Sequence, residues 1–122
     1  TYQAARLLQA AGWPVGYYED FPYAARPDAA AQRFTELGVT PAVTGATVTP
    51  HPATPVYCAI DATMGPKIAA IAAYASQISS LFPSLAAMPD AVRDYAAAVA
   101  ATWPAATAAA RPAYAERYWR LP

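Results

Sequence analysis

Proline and glycine residues interrupt this chain so often that it can only be built from short helices and strands. Proline ends or opens a helix, and the residue before it avoids the helical region. Thirteen of the 122 residues are proline. We read the order of segments between these breaks as helix, strand, helix, loop, strand, helix, helix, with a last short helical segment after them. This order is typical of a layered α/β protein.

The segments have the following predicted bounds. The helices are Tyr2–Ala11 before Gly12, Asp28–Leu37, Pro66–Phe82, Pro89–Trp103 and Pro112–Trp119, and the strands are Val15–Glu19 and Val56–Ile60. Two strands make a poor sheet alone, so we expect them to add to a sheet supplied by a missing front half of the protein.

Apolar stripes support the two longest helices, because residues three and four apart share one helix face. The stripes are Ile68, Ile71, Ala75, Ile78 and Phe82 in one helix, and Val92, Ala96, Val99 and Trp103 in the other. We expect Tyr74 and Gln77 to pack beside the first stripe rather than to contact a ligand.

Residues 38–55 carry five threonines, four prolines and two glycines without periodicity. We interpret them as a surface loop with room for a short edge strand, and a lid over a site is the alternative. His51 lies in this loop as the only histidine. No second ligand lies at a helpful spacing, which argues against a metal site there.

Charge and cysteine content exclude several classes of function. Eight basic residues balance eight acidic ones without a basic run, so we expect no nucleic-acid partner. Cys58 is the only cysteine, and its apolar run predicts a buried core thiol. Residues 68–89 lack charge but contain serines, a glutamine and a proline, so we predict no membrane span. Helical pattern begins at once without a charged leader, from which we expect no signal peptide and a cytoplasmic location.

The segment Gly16-Tyr17-Tyr18-Glu19-Asp20-Phe21-Pro22-Tyr23-Ala24 concentrates the candidate site. Ligands of α/β sheets bind beyond the carboxyl ends of strands, where Glu19 and Asp20 lie. Carboxylates accept hydrogen bonds from the hydroxyl groups of a ligand, and Tyr18 and Tyr23 add ring faces and phenols. Strand alternation turns the two carboxylates to opposite faces, so only one can face a given ligand. The other would cap a turn or pair with an arginine, and a turn or cap role is open for each.

Three segments resemble the LmbE/PIG-L-type family of zinc-dependent N-deacetylases. They are Tyr18-Glu19-Asp20-Phe21-Pro22-Tyr23, the helix segment from Lys67 through Ala70-Ile71, Tyr74 and Ser76-Gln77, and Ala115-Glu116-Arg117-Tyr118-Trp119. Their order agrees with the family, and they span most of the chain. We interpret Glu116 and Arg117 as an exposed or packing pair near Trp119.

The resemblance implies a Rossmann-like, three-layer α/β fold, of which residues 1–122 form a single partial domain, the carboxy-terminal half. It implies hydrolysis of the N-acetyl group of an N-acetylglucosamine-type substrate. Tyr18, Glu19, Asp20 and Tyr23 would form the substrate-side wall.

The family binds zinc through His-Pro-Asp-Asp and His-x-Asp-His motifs, which this sequence does not contain. We therefore expect the zinc ligands upstream of Thr1, on a missing amino-terminal half or a separate chain. We assign no catalytic residue and no metal ligand to this chain, which would bind no zinc alone. A non-catalytic α/β binding or assembly module is the alternative function, and a homo-oligomer is left open.

Overall fold

The structure, a computed structural model, describes residues 2–26, 28–37, 40–41, 52–104 and 110–120. The helices of these residues are α1 Tyr2–Ala10, α2 Ala29–Leu37, α3 Met64–Ala72, α4 Ala75–Leu81 and α5 Met88–Ala101. The strands are β1 Gly16–Tyr18, β2 Thr40–Pro41, β3 Pro52–Ala59 and β4 Ala115–Arg120. The protein is thus a mixed α/β structure, as the order of segments predicts.

The four strands form one sheet in the order β1-β4-β3-β2. Strand β4 lies between β1 and β3 and is antiparallel to both, whereas the short β2 pairs in parallel with β3. Tyr118 of β4 therefore lies opposite Tyr18 on one side and Val56 on the other. The chain supplies the central strand of its own sheet.

The prediction of a helix over Pro112–Trp119 was wrong, because Ala115–Arg120 is β4. Tyr118 and Trp119 have aromatic side chains that favour strands when neighbouring strands are available to pack them. Both neighbours of β4 lie far away along the chain, so a local pattern does not reveal them.

Strand β3 begins at Pro52, earlier than the predicted Val56, and takes up the end of the 38–55 loop. Proline fits a strand where no neighbour needs its missing N–H. Strand β2 pairs with β3 only at Pro52 and Ala53, so Pro55 has a described ladder partner on the β4 side alone, Trp119. The lid hypothesis concerns the whole 38–55 loop, of which residues 38–39 and 42–51, with His51 among them, lie outside the described residues.

The helix predictions are confirmed for α1, α2 and α5 within a few residues, and wrong for the helix over Pro66–Phe82. That segment is divided into α3 and α4 at Tyr74, whose ψ of 50° leaves the helical region. No proline or glycine lies between Lys67 and Phe82, so the sequence carries no signal of the break. Tyr74 is 70% exposed and Gln77 is also exposed, so neither packs as we expected.

Helix α5 joins the two apolar clusters of the protein. Its first half packs among the helices in a cluster of buried residues: Ile60, Met64, Ile78, Phe82, Met88, Val92 and Ala96. Its last turn packs against the sheet in a second cluster, in which Val99 and Ala100 meet Ala115 of β4. Burying one such aliphatic side chain contributes roughly 1.5–3 kcal/mol. Helix α5 therefore packs against one face of the sheet.

We call the sheet face against α5 the inner face and the opposite one the outer face. Tyr57 packs into the second cluster on the inner face, and the next residue, Cys58, is exposed. The prediction of a buried Cys58 thiol was wrong, because strand alternation turns it to the outer face. Within the described residues, no helix has the length and apolarity to cross a membrane.

Candidate functional site

Strand β1 divides the residues of the predicted site between the two faces of the sheet. Tyr17 and Glu19 are partly buried, whereas Tyr18 and Asp20 are exposed. The predicted alternation of side chains along this segment is confirmed. The two adjacent carboxylates consequently lie in different surroundings and have different partners.

Glu19 is tied to three hydrogen-bond donors on the inner face. Its Oε1 accepts from Arg117 Nε at 2.7 Å and from Trp119 Nε1 at 2.6 Å, and its Oε2 accepts from the Tyr95 hydroxyl at 2.9 Å. Only 8% of the Glu19 side chain is exposed. We call Glu19, Tyr95, Arg117 and Trp119 the Glu19 cluster. It joins β1 to β4 and to α5.

The electrostatics of the Glu19 cluster follow from burial around a carboxylate. Burial, and then the neighbouring negative charge of Glu19, raise the pKa of the Tyr95 phenol well above its ordinary value. Tyr95 therefore stays a neutral donor at physiological pH. Glu19 thus anchors β1. This agrees with the expectation that one of the two adjacent carboxylates pairs with an arginine.

The exposed residues on either side of Glu19 form a rim, which we define as Tyr18, Asp20 and Tyr23. Tyr18 and Tyr23 are 51% and 49% exposed. The Asp20 side chain is exposed and has no hydrogen bond or ion pair with the described residues. Its backbone carbonyl accepts from Ala24 N at 2.9 Å, which makes the turn that carries Tyr23.

Phe21 fixes this rim to the core. The Phe21 ring lies 4.8 Å from the Tyr95 ring and 5.8 Å from the Phe82 ring, measured between centroids. The Phe21–Pro22 peptide bond is cis. Phe21 is thus partly buried against these rings, whereas Asp20 and Tyr23 are exposed.

A second ion pair lies on the outer face. Lys67 of α3 pairs with Glu116 of β4, and the Tyr118 hydroxyl donates to Glu116 Oε2 at 3.1 Å. The side chains of Lys67 and Glu116 are 24% and 22% exposed. Glu116 and Arg117, which we interpret from the sequence as an exposed or packing pair near Trp119, are both partly buried, and the Arg117 guanidinium lies 5.0 Å from the centre of the Trp119 ring. They lie on opposite faces and bind different partners.

The three segments that carry the family resemblance meet at β4. Strand β1, ending in the rim, pairs with one edge of β4, and α3 reaches it through Lys67. The contacts of Arg117, Tyr95 and Lys67 were missed from the sequence. In a strand, Glu116 and Tyr118 lie on one face, and Arg117 and Trp119 lie on the other. This alternation could have separated the partners of Glu116 from those of Arg117, but only if β4 had been recognised as a strand.

Within the described part of the chain, no three His, Cys, Asp or Glu side chains are placed to hold a metal ion together. A scan against protein-family models found no match, and searches of curated proteins and of solved structures found no match either.

Proposed function

We propose that this chain is the carboxy-terminal part of a zinc-dependent hydrolase that removes the N-acetyl group from an N-acetylglucosamine-type substrate. In this proposal the rim is the substrate-side wall. The observation that carries it is the contrast between Glu19, held by three donors, and Asp20, exposed beside two half-exposed tyrosines.

A rim of this composition suits a sugar. Sugar hydroxyls donate to a carboxylate such as Asp20, and charge-assisted hydrogen bonds of this kind are stronger than neutral ones. The apolar C–H faces of a sugar ring pack on aromatic rings, and the phenols of Tyr18 and Tyr23 add hydrogen bonds at the edges. The wall would orient the substrate, and Glu19 would be a positioning residue that holds β1 in place.

Hydrolysis of an amide needs an activated water, which zinc with three protein ligands supplies. The family motifs that provide such ligands do not occur in this sequence. In the proposal, residues outside these 122 supply the ligands and the base. This chain's own part is to bind and orient the sugar.

The proposal includes a larger Rossmann-like sheet. The β2–β3 pair is parallel, and β2 lies at the edge of the described sheet. Further parallel strands from the remaining half could continue from that edge, as layered α/β folds require. In this proposal the partner is the amino-terminal half, which belongs to the same chain or is a second chain. The proposed location is the cytoplasm.

The wall is tested by Asp20→Ala in the complete protein. We expect KM for an N-acetylglucosaminyl substrate to rise while zinc content and kcat stay close to the original values. Asp90→Ala is the matched control, since the Asp90 side chain is 81% exposed on α5. Loss of zinc from the Asp20 variant, or an unchanged KM, would contradict the wall role.

A non-catalytic binding or assembly module is the second candidate. The sheet favours this second function, because its central strand β4 and both neighbours of β4 belong to this chain. Zinc content separates the two functions, because a tightly bound metal accompanies a deacetylase and is not needed by such a module.

A further inference from the structure

Beyond the end of β1, the rim continues into a short 3₁₀ turn, Tyr23–Ala25, that ends at Arg26. Backbone hydrogen bonds close this turn, from Ala25 N to the Pro22 carbonyl at 3.1 Å and from Arg26 N to the Tyr23 carbonyl at 3.2 Å. In a 3₁₀ turn, side chains three residues apart lie above one another. The backbone therefore brings the side chain of Arg26 to that of Tyr23.

The Arg26 guanidinium lies over the Tyr23 ring, with its central carbon 5.3 Å from the centre of the ring. A cation within about 6 Å of the face of a tyrosine is attracted to the ring. Pro27 follows in the sequence and restricts Arg26 to extended backbone, which agrees with its φ of −69° and ψ of 139°. One face of the ring is thus covered, while Tyr23 remains 49% exposed.

Arg26 differs from the arginines that form ion pairs. Within the described residues, the ion pairs of arginine belong to Arg33, Arg93 and Arg117. Arg26 is exposed and has no carboxylate partner in this part of the chain, so its contact with Tyr23 is the one that the structure shows for its guanidinium. The cation is therefore available to hold the ring.

Holding the ring affects any ligand that packs on it. An exposed tyrosine side chain samples several rotamers, and the apparent affinity of a ligand falls when only a fraction of the molecules has the competent one. A cation on one face favours the rotamer in which the ring lies under it, and leaves the other face to the ligand. Removing the cation lowers the affinity by no more than the contact itself contributes.

We propose that Arg26 is a positioning residue of the substrate-side wall, which holds the Tyr23 ring in the orientation on which the sugar packs. Arg26 acts on the ligand through Tyr23 and not by touching it. The nature of the ligand rests on the proposed function, whereas the contact between Arg26 and Tyr23 does not depend on it.

The test measures KM, kcat and the Kd of methyl N-acetyl-β-glucosaminide with the complete protein. Arg26→Ala should raise KM and Kd by about twofold to fivefold, the range of an exposed cation–π contact, and leave kcat close to its original value. Arg26→Lys keeps a cation over the ring and should restore most of the affinity. Arg93→Ala is the matched control, because Arg93 is an arginine of α5 with a 44% exposed side chain, and it should change neither constant.

A double variant separates positioning from direct contact. Tyr23→Leu alone should weaken binding at least as much as Arg26→Ala, and adding Arg26→Ala to it should cause no further loss, because Arg26 acts through the ring. In the complete protein with ¹³C-labelled tyrosine, the NMR signals of the Tyr23 ring should move in Arg26→Ala and move less in Arg26→Lys.

An unchanged Kd in Arg26→Ala, additive losses in the double variant, or unmoved Tyr23 ring signals would overturn the inference. Failure of the proposed function is distinguishable, because Kd reports binding without reaction. If the non-additive loss occurs in a protein that releases no acetate, Arg26 keeps its role and the deacetylase fails. If acetate is released while Arg26→Ala binds as the wild type does, the inference alone fails. A wild-type protein that does not bind the glycoside overturns both.

Discussion

Replacing Glu19 by glutamine tests whether the Glu19 cluster holds the rim. The substitution keeps the shape of the side chain and one oxygen acceptor, but removes the charge opposite Arg117. The Arg117 side chain is 21% exposed and that of Glu19 is 8% exposed, so water replaces little of the lost interaction. Tyr95 and Trp119 keep a polar neighbour of weaker accepting power.

The expected cost follows from these contacts. A hydrogen bond to a charged group contributes roughly 1.5–3 kcal/mol, and leaving a fully buried charge without its partner costs about 3–5 kcal/mol. Because Arg117 retains some contact with solvent, we expect the free energy of unfolding to fall by about 2–3 kcal/mol. For a domain of this size that corresponds to a Tm about 10 °C lower.

Urea denaturation followed by circular dichroism measures this change. Glu36→Gln is the matched control, because Glu36 pairs with Arg33 where both side chains are more than half exposed. It should cost less than about 0.5 kcal/mol. In a double-mutant cycle, Glu19→Gln and Arg117→Met should be coupled by about 2 kcal/mol. Equal small losses for Glu19→Gln and Glu36→Gln, or additive effects in the cycle, would refute the reasoning.

Three further predictions concern pH, the second ion pair and a turn. Burial raises the pKa of the Tyr95 phenol above its ordinary value of 10.0. The stabilisation of the folded state by the neutral phenol is therefore complete below pH 10.0 and is lost as the pH rises above it. Urea midpoints should therefore fall less steeply with alkaline pH in Tyr95→Phe than in the wild type, and parallel falls would contradict this. Lys67→Met should lower the free energy of unfolding by about 1 kcal/mol, against about 0.3 kcal/mol for Arg93→Met in an exposed pair; equal losses would count against the bridge to β4. Gly12→Ala should cost about 1 kcal/mol, since Gly12 has φ +84°, whereas Gly16→Ala should be tolerated. Thermal melts that rank these two variants in the opposite order would show that φ is not the cause.

Local signals made part of the fold predictable. Gly12 ends α1, and Pro89 opens α5 within its first turn. The alternation of Tyr17, Tyr18 and Glu19 predicted the two faces of β1. Each of these features depends on neighbours within one or two turns of the chain.

Non-local pairing explains what the sequence could not show. Arg117 lies 98 residues from Glu19, and nothing in a linear pattern selects it among seven arginines. Strand β4 was misread as a helix because its identity depends on β1 and β3 on either side. The exposure of Cys58 followed from the same pairing, since it decides which face of β3 meets α5.

The most direct test of the central claim is to purify the protein from its source cells with an affinity reagent that binds this chain. The intact mass, zinc content and acetate release from an N-acetylglucosaminyl substrate would be measured together. We predict a species, or a complex, that carries the two histidine motifs with about one zinc per site and releases acetate until a chelator is added. A sole species of 12.8 kDa that holds no zinc and releases no acetate would contradict the account.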